Sequence, residues 1–241
     1  MIIAPAIMRP YNLKLNCPVL RQPLPALPLS ALLSVILFGA VSTLPAYAAD
    51  HTPPPVTDAT NYPANEVHDQ EKVAIAADPY DTREKCKLLR VNYGDYDFMP
   101  VRVIITNNGD KPISLAEARI HFIAADGTKI AAAEPEDVER RTASADNRGK
   151  TIPLPSPLPS IHTASGKKYR QIEDDFHDFE FQALIVEAHT TRAGFLFYDV
   201  SGMREPLRGA KLYIRKIKAA SGEDLFYFDI PFDKYLAAQP K

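Results

Sequence analysis

The stretch that constrains this chain most is residues 99–130, MPVRVIITNNGDKPISLAEARIHFIAADGTKI, where two β-type segments are separated by turn chemistry and closed by a second tight turn. Val101, Val103 and Ile105 alternate with Arg102, Ile104 and Thr106, the two-residue period of a strand with one face towards a core. Asn107-Asn108-Gly109-Asp110 supplies residues that tolerate positive φ, so the chain reverses there. Lys111-Pro112 excludes a central-strand ladder at that point. Ile113 and Leu115 then cover a sheet edge, and a strand resumes over 118–124. Asp126-Gly127 closes a short hairpin into Lys129-Ile130.

Strand patterning returns three times near the C-terminus. Over 193–200, Phe195, Phe197 and Asp199 alternate with Leu196, Tyr198 and Val200. Leu212 and Ile214 alternate with Lys211, Tyr213 and Arg215, and Phe226, Phe228 and Ile230 with Tyr227 and Asp229, before Pro231 ends the last run. Short strands, frequent turns and no helix-strand alternation predict an all-β, antiparallel β-sandwich rather than a parallel α/β sheet.

The first 48 residues have the character of an export signal. An apolar run over 29–44 ends in Pro45 and Ala46-Tyr47-Ala48, whose small first and third residues suit a peptidase cutting before Ala49. Met8 offers a second start. Arg9, Lys14 and Arg21 are the only charges of this leader, so 25 of the 28 basic residues remain against 30 acidic ones, a net charge of −5. That charge argues against nucleic acid as a partner. Cys17 precedes the apolar run and no cysteine stands at the cut, so a lipid anchor and a stable membrane attachment are not expected. Cys86 is then the one remaining thiol, an internal disulfide is impossible, and stability rests on an apolar core.

Between the leader and the sandwich, residues 49–71 hold Pro53, Pro54, Pro55 and Pro63 among polar residues, the composition of a disordered tether. A single folded domain is predicted over 72–241. It opens on a strand at 73–76, is ambiguous over 82–91 and turns at 93–96. An insertion spans 134–181. It begins with a short surface helix over 134–141, acids early and arginines late. A polyproline-type run follows with Pro153, Pro155, Pro157 and Pro159, then a loop over 165–168 and a helical stretch with Ile172, Phe176 and Phe179 on one face.

TNNGDKPISL at 106–115, the ADG turn at 125–127, TRAGFLFYDV at 191–200 and GAKLYI at 209–214 together resemble the secreted bacterial immunoglobulin-like domains of unknown function called telokin-like. The resemblance covers about residues 99–130 and 191–230. It implies an immunoglobulin-like fold and supplies no catalytic residue. Two departures are the long insertion, partly helical and Pro-rich, and the missing lipoprotein cysteine.

The residues offer two functional readings. The first is a secreted or periplasmic, non-enzymatic binding or structural module that contacts a protein or cell-envelope partner through the insertion. It would use the ridge of Leu154, Leu158 and Ile161 between prolines, and the basic Arg140 and Arg141. The same ridge equally suits packing against the domain's own edge strand. The second is a metal-dependent or hydrolytic enzyme built on the acids of 173–178, with Asp174, His177 and Asp178 as ligands. A solvated acidic face opposite Ile172, Phe176 and Phe179 explains those acids as well. No G-x-S-x-G nucleophile turn occurs, His121, His162 and His189 are scattered, and no cofactor is implied.

Overall fold

The strand Phe98–Asn107 (β3) is buried along its whole length and on both faces, so it lies in a middle layer. The computed structural model describes residues 51–146 and 166–239, which belong to one compact unit, Tyr47–Lys241. β3 sits in a four-stranded antiparallel sheet of order β1-β2-β3-β8, with β1 Asn65–His68, β2 Val73–Pro79 and β8 Thr190–Asp199. A second four-stranded antiparallel sheet has order β10-β9-β5-β6, from β5 Arg119–Ile123, β6 Lys129–Ala131, β9 Lys211–Arg215 and β10 Phe228–Pro231. A small pair, β4 Ile113–Ser114 and β7 Ile185–Val186, completes the described strands. Antiparallel sheets therefore dominate and helices are few, an all-β architecture.

The alternation expected over 101–106 governs which layer each side chain joins. Val101, Val103 and Ile105, with Val73, Ile75 and Tyr198, share a core with Phe122, Leu212, Ile214, Phe228 and Ile230 of the other sheet. The expectation of a single core face is corrected here, because the other face is covered too. Arg102 donates from its guanidinium to the carbonyls of Pro54 and Pro55 and to the Tyr62 hydroxyl. Ile104 packs with Ala59, Ala74 and Ala76, and the Thr106 hydroxyl accepts from Ala59 N at 2.9 Å.

The same contacts correct the disordered tether predicted over 49–71. Residues 51–71 carry a 3₁₀ turn, Ala59–Asn61, capped by Asp58, and the edge strand β1. Polar composition misleads here because Ala59 and Ala64 are the residues that need to be buried, and prolines suit a segment laid across a sheet face without ladder bonds. The strand expected at 73–76 forms as β2. In the 82–91 stretch only Arg83–Cys86 (α1) is helical, with Thr82 accepting from Lys85 N as its cap.

The chain turns at 107–110 without the positive φ expected there, and the Asn107 side chain closes the turn instead. The Asn107 amide donates to the carbonyls of Lys111 and Val186 at 2.8 and 3.1 Å, while its oxygen accepts from Gly109 N at 2.9 Å. Asp126 accepts from Thr128 N, and Gly127 takes φ 85° to close the β5–β6 hairpin.

The described parts of the insertion are two helices, α2 Pro135–Asp146 and α3 Gly166–Phe179. α2 starts on proline with Glu136 and Asp137 in its first turn, as predicted, but runs longer than 134–141. It also buries Val138 and Thr142, where its polarity suggested a surface position only. α3 begins at Gly166, so the loop predicted over 165–168 is helical from Gly166 onward. Ile172, Phe176 and Phe179 point inward as their spacing requires and pack with Val138, Phe98, Phe195 and Phe197 on the outer face of the first sheet. Phe176 stacks on Phe197 at 4.4 Å between ring centroids. A last short helix, α4 Asp233–Ala238, follows β10.

Candidate functional site

The insertion is held to the first sheet by its neck. Ala133 N donates to Phe197 O at 2.7 Å where the insertion leaves, and Phe181 N donates to Phe195 O at 2.9 Å where it returns. Both ends thus dock on the free edge of β8. Gly194 allows the return strand to lie so close, since a Cβ there would stand 2.4 Å from Phe181 Cα.

Of the partner-binding residues expected from sequence, Arg140 and Arg141 lie together on α2 at a cleft of about 570 Å³ between that helix and the ends of β6 and β8. Phe98, Ser144 and Asp199 complete its wall. Arg141 lies over the Phe98 ring at 5.2 Å and pairs with Asp199, while the exposed Arg140 pairs with Asp137 on its own helix. Burial pushes the Asp199 carboxyl up, but hydrogen bonds from Ser201 and the Arg141 guanidinium outweigh it and hold the group below the ordinary aspartate range. Leu154, Leu158 and Ile161 lie outside the described residues.

The acids of 173–178 divide by helical position. Asp174 and His177 are exposed, and Asp178 accepts from Arg90 Nη2. Asp175 is fully buried, which corrects the wholly solvated acidic face. Its carboxylate accepts from Arg90 N at 3.0 Å, Val91 N at 3.2 Å, the Tyr93 hydroxyl at 3.0 Å and Arg90 Nη1 at 3.1 Å. Burial raises its pKa, and the bonds from Arg90, Tyr93 and Val91 draw it back only in part. Burial and the same carboxylate push the Tyr93 phenol far up. This is a clasp that fixes α3 on the 90–93 segment. Among the described residues no group of three or more His, Cys, Asp or Glu side chains is placed to hold a metal ion.

Cys86 borders a cleft of about 330 Å³ with Tyr80, Asp95 and Met99. Its thiol is buried and donates to Tyr80 O at 3.1 Å, and burial raises its pKa, so the chemistry is that of a protonated packing residue rather than a nucleophile. Tyr80 is pushed up to about 12 by burial and by Asp78.

One surface went unread in the sequence. Alternation put Phe226 in the last strand on one face with Phe228 and Ile230, but β10 starts only at Phe228, and Phe226 and Tyr227 are 71% and 56% exposed. They stand at a cleft whose other wall holds Glu66, His68, Asp69 and Glu71.

Compared with known proteins, the chain matches no family model, no curated protein and no solved structure. Among the described residues no helix is long and apolar enough to cross a membrane.

Proposed function

We propose that this protein is a secreted or periplasmic, non-catalytic immunoglobulin-like module of the telokin-like kind, which contacts a protein or cell-envelope partner through its insertion. The strand order supports the immunoglobulin-like part. Read as such a domain, β2, β3 and β8 take the parts of strands A, B and E, and β5, β6, β9 and β10 those of C, C′, F and G, in keeping with crossings between the two sheets after β3, after β6 and after β8. β1 and the helical insertion are additions to that plan. Export rests on the apolar run and the Ala46-Tyr47-Ala48 site.

The observation that carries the binding role is the cleft along α2, walled by Arg140, Arg141 and Ser144 and mounted on a helix that is itself anchored through Val138. A rigid mount lowers the ordering cost of association, and arginine is favoured at interfaces because its planar fork makes several bonds at once. The test is site-specific photocrosslinking in native envelope preparations, with the probe at Arg140 or, as control, at Thr128 on the hairpin of the second sheet. The expected result is one adduct of defined mass from position 140 and none from 128. Equal labelling from both positions, or no adduct from 140, refutes the role of the insertion.

A further inference from the structure

We propose that the cleft between the β1–β2 turn and the approach to β10 is a second docking site, one that receives a lysine or arginine side chain presented by a protein partner. The cleft measures about 490 Å³ and includes Glu66, Asp69 and Glu71, with no lysine or arginine in its lining. Its opposite wall is Phe226 and Tyr227, the first of them the most exposed large apolar side chain among the described residues.

The backbone that carries these rings is held in place. Glu71 Oε1 accepts from Phe226 N at 2.8 Å, and Glu66 Oε2 accepts from Asp229 N, so the backbone carrying both rings is pinned to the β1 side. Tyr227 leans on Tyr213 with 5.5 Å between ring centroids. The remaining oxygens of the two glutamates face His68, Oε2 of Glu71 at 3.0 Å from Nδ1 and Oε1 of Glu66 at 3.1 Å from Nε2, and the imidazole stacks on Phe228 at 3.9 Å. The result is a pair of exposed aromatic side chains, carried on a pinned backbone, across a cleft from carboxylates.

Charge and shape select the occupant. An aromatic face attracts a cation through its quadrupole, and nearby carboxylates add to that attraction. The same carboxylates repel phosphate-bearing surfaces, which argues against a lipid headgroup or a nucleic acid. Rigid aromatic anchors with a polar rim are the composition of a protein interface. The site is remote in sequence from α2, so its test is independent of the one at position 140.

The experiment is an amide chemical-shift titration of the purified chain with a nine-residue peptide bearing three arginines and with its citrulline counterpart. Guanidinium ion and anionic-lipid vesicles form the other two arms. The arginine peptide is expected to shift the amides of Phe226, Tyr227 and Asp69, with affinity falling about tenfold in Phe226→Ser/Tyr227→Ser and severalfold in Asp69→Asn or in high salt. All three side chains are exposed, so the variants retain the parent spectrum elsewhere. The proposal is overturned if these amides do not move at millimolar peptide, if citrulline binds as well as arginine, or if the double variant binds undiminished. It is equally overturned if guanidinium alone matches the peptide, or if vesicles shift these amides and the peptide does not.

Discussion

Two carboxylate junctions tie this molecule together, and they differ in what surrounds them. At Asp175 the acid is sealed under α3, every contact is internal, and the neighbouring aromatics Tyr93, Phe176 and Phe179 are buried with it. At Glu66 and Glu71 the acids also accept backbone amides across a seam, but the aromatics next to them, Phe226 and Tyr227, face solvent. The chemistry of the bonds is similar. What separates a structural clasp from a candidate contact surface is whether apolar area is left uncovered once the polar groups are satisfied.

The sharpest way to break this contrast is Asp175→Ala. It orphans two backbone amides and the Tyr93 hydroxyl and leaves the Arg90 guanidinium with Asp178 alone, and is expected to cost about 3–5 kcal/mol in urea unfolding. A loss below 1 kcal/mol would put the clasp in the same class as the open seam. Next comes Gly194→Ala, whose Cβ would press on the backbone of Phe181 and Glu180. The neck must open, at a cost of about 1–3 kcal/mol, and hydrogen exchange should quicken at Phe181.

Acid titration gives a smaller effect. The Asp199 carboxyl is held below its ordinary value, so the folded protein binds this proton less readily than the unfolded chain. Its contribution is present above the ordinary aspartate range and is lost as pH falls through the depressed folded value. Urea midpoints of the parent should therefore exceed those of Asp199→Asn near neutral pH, and the two should converge as pH falls through the depressed folded value. A gap that persists there would assign the effect to packing of Arg141 on Phe98. The smallest expected change is at the open seam, where Phe226→Ser should move stability by less than about 0.5 kcal/mol, since it removes exposed area only.

The sheets were legible because each relies on local signals: alternation in 101–106 and 193–200, a turn after Asn107 closed by its own side chain, and one at Gly127 that uses positive φ. The face of α3 was legible from the spacing of Ile172, Phe176 and Phe179. That spacing also held the missed signal, since Asp175 sits three residues after Ile172 and four before Phe179, on the buried side of the same helix. Its partners Arg90 and Tyr93 are more than eighty residues away, and no local pattern joins them. Residues 51–71 were misread because their burial depends on a sheet face supplied from elsewhere. Phe226 was misread because alternation continues through it, whereas the partner strand β9 ends at Arg215, where Lys216 takes φ 61°, and the Phe226 amide is taken by Glu71.

The neck on β8 has an engineering consequence. The chain leaves at Ala133 and returns at Phe181 onto carbonyls two residues apart, so both ends of the insertion are held by β8 itself. The domain is thus a natural graft acceptor, in which a foreign helical hairpin with inward Val, Ile and Phe at the places of Val138, Ile172 and Phe176 would be carried on an unchanged frame.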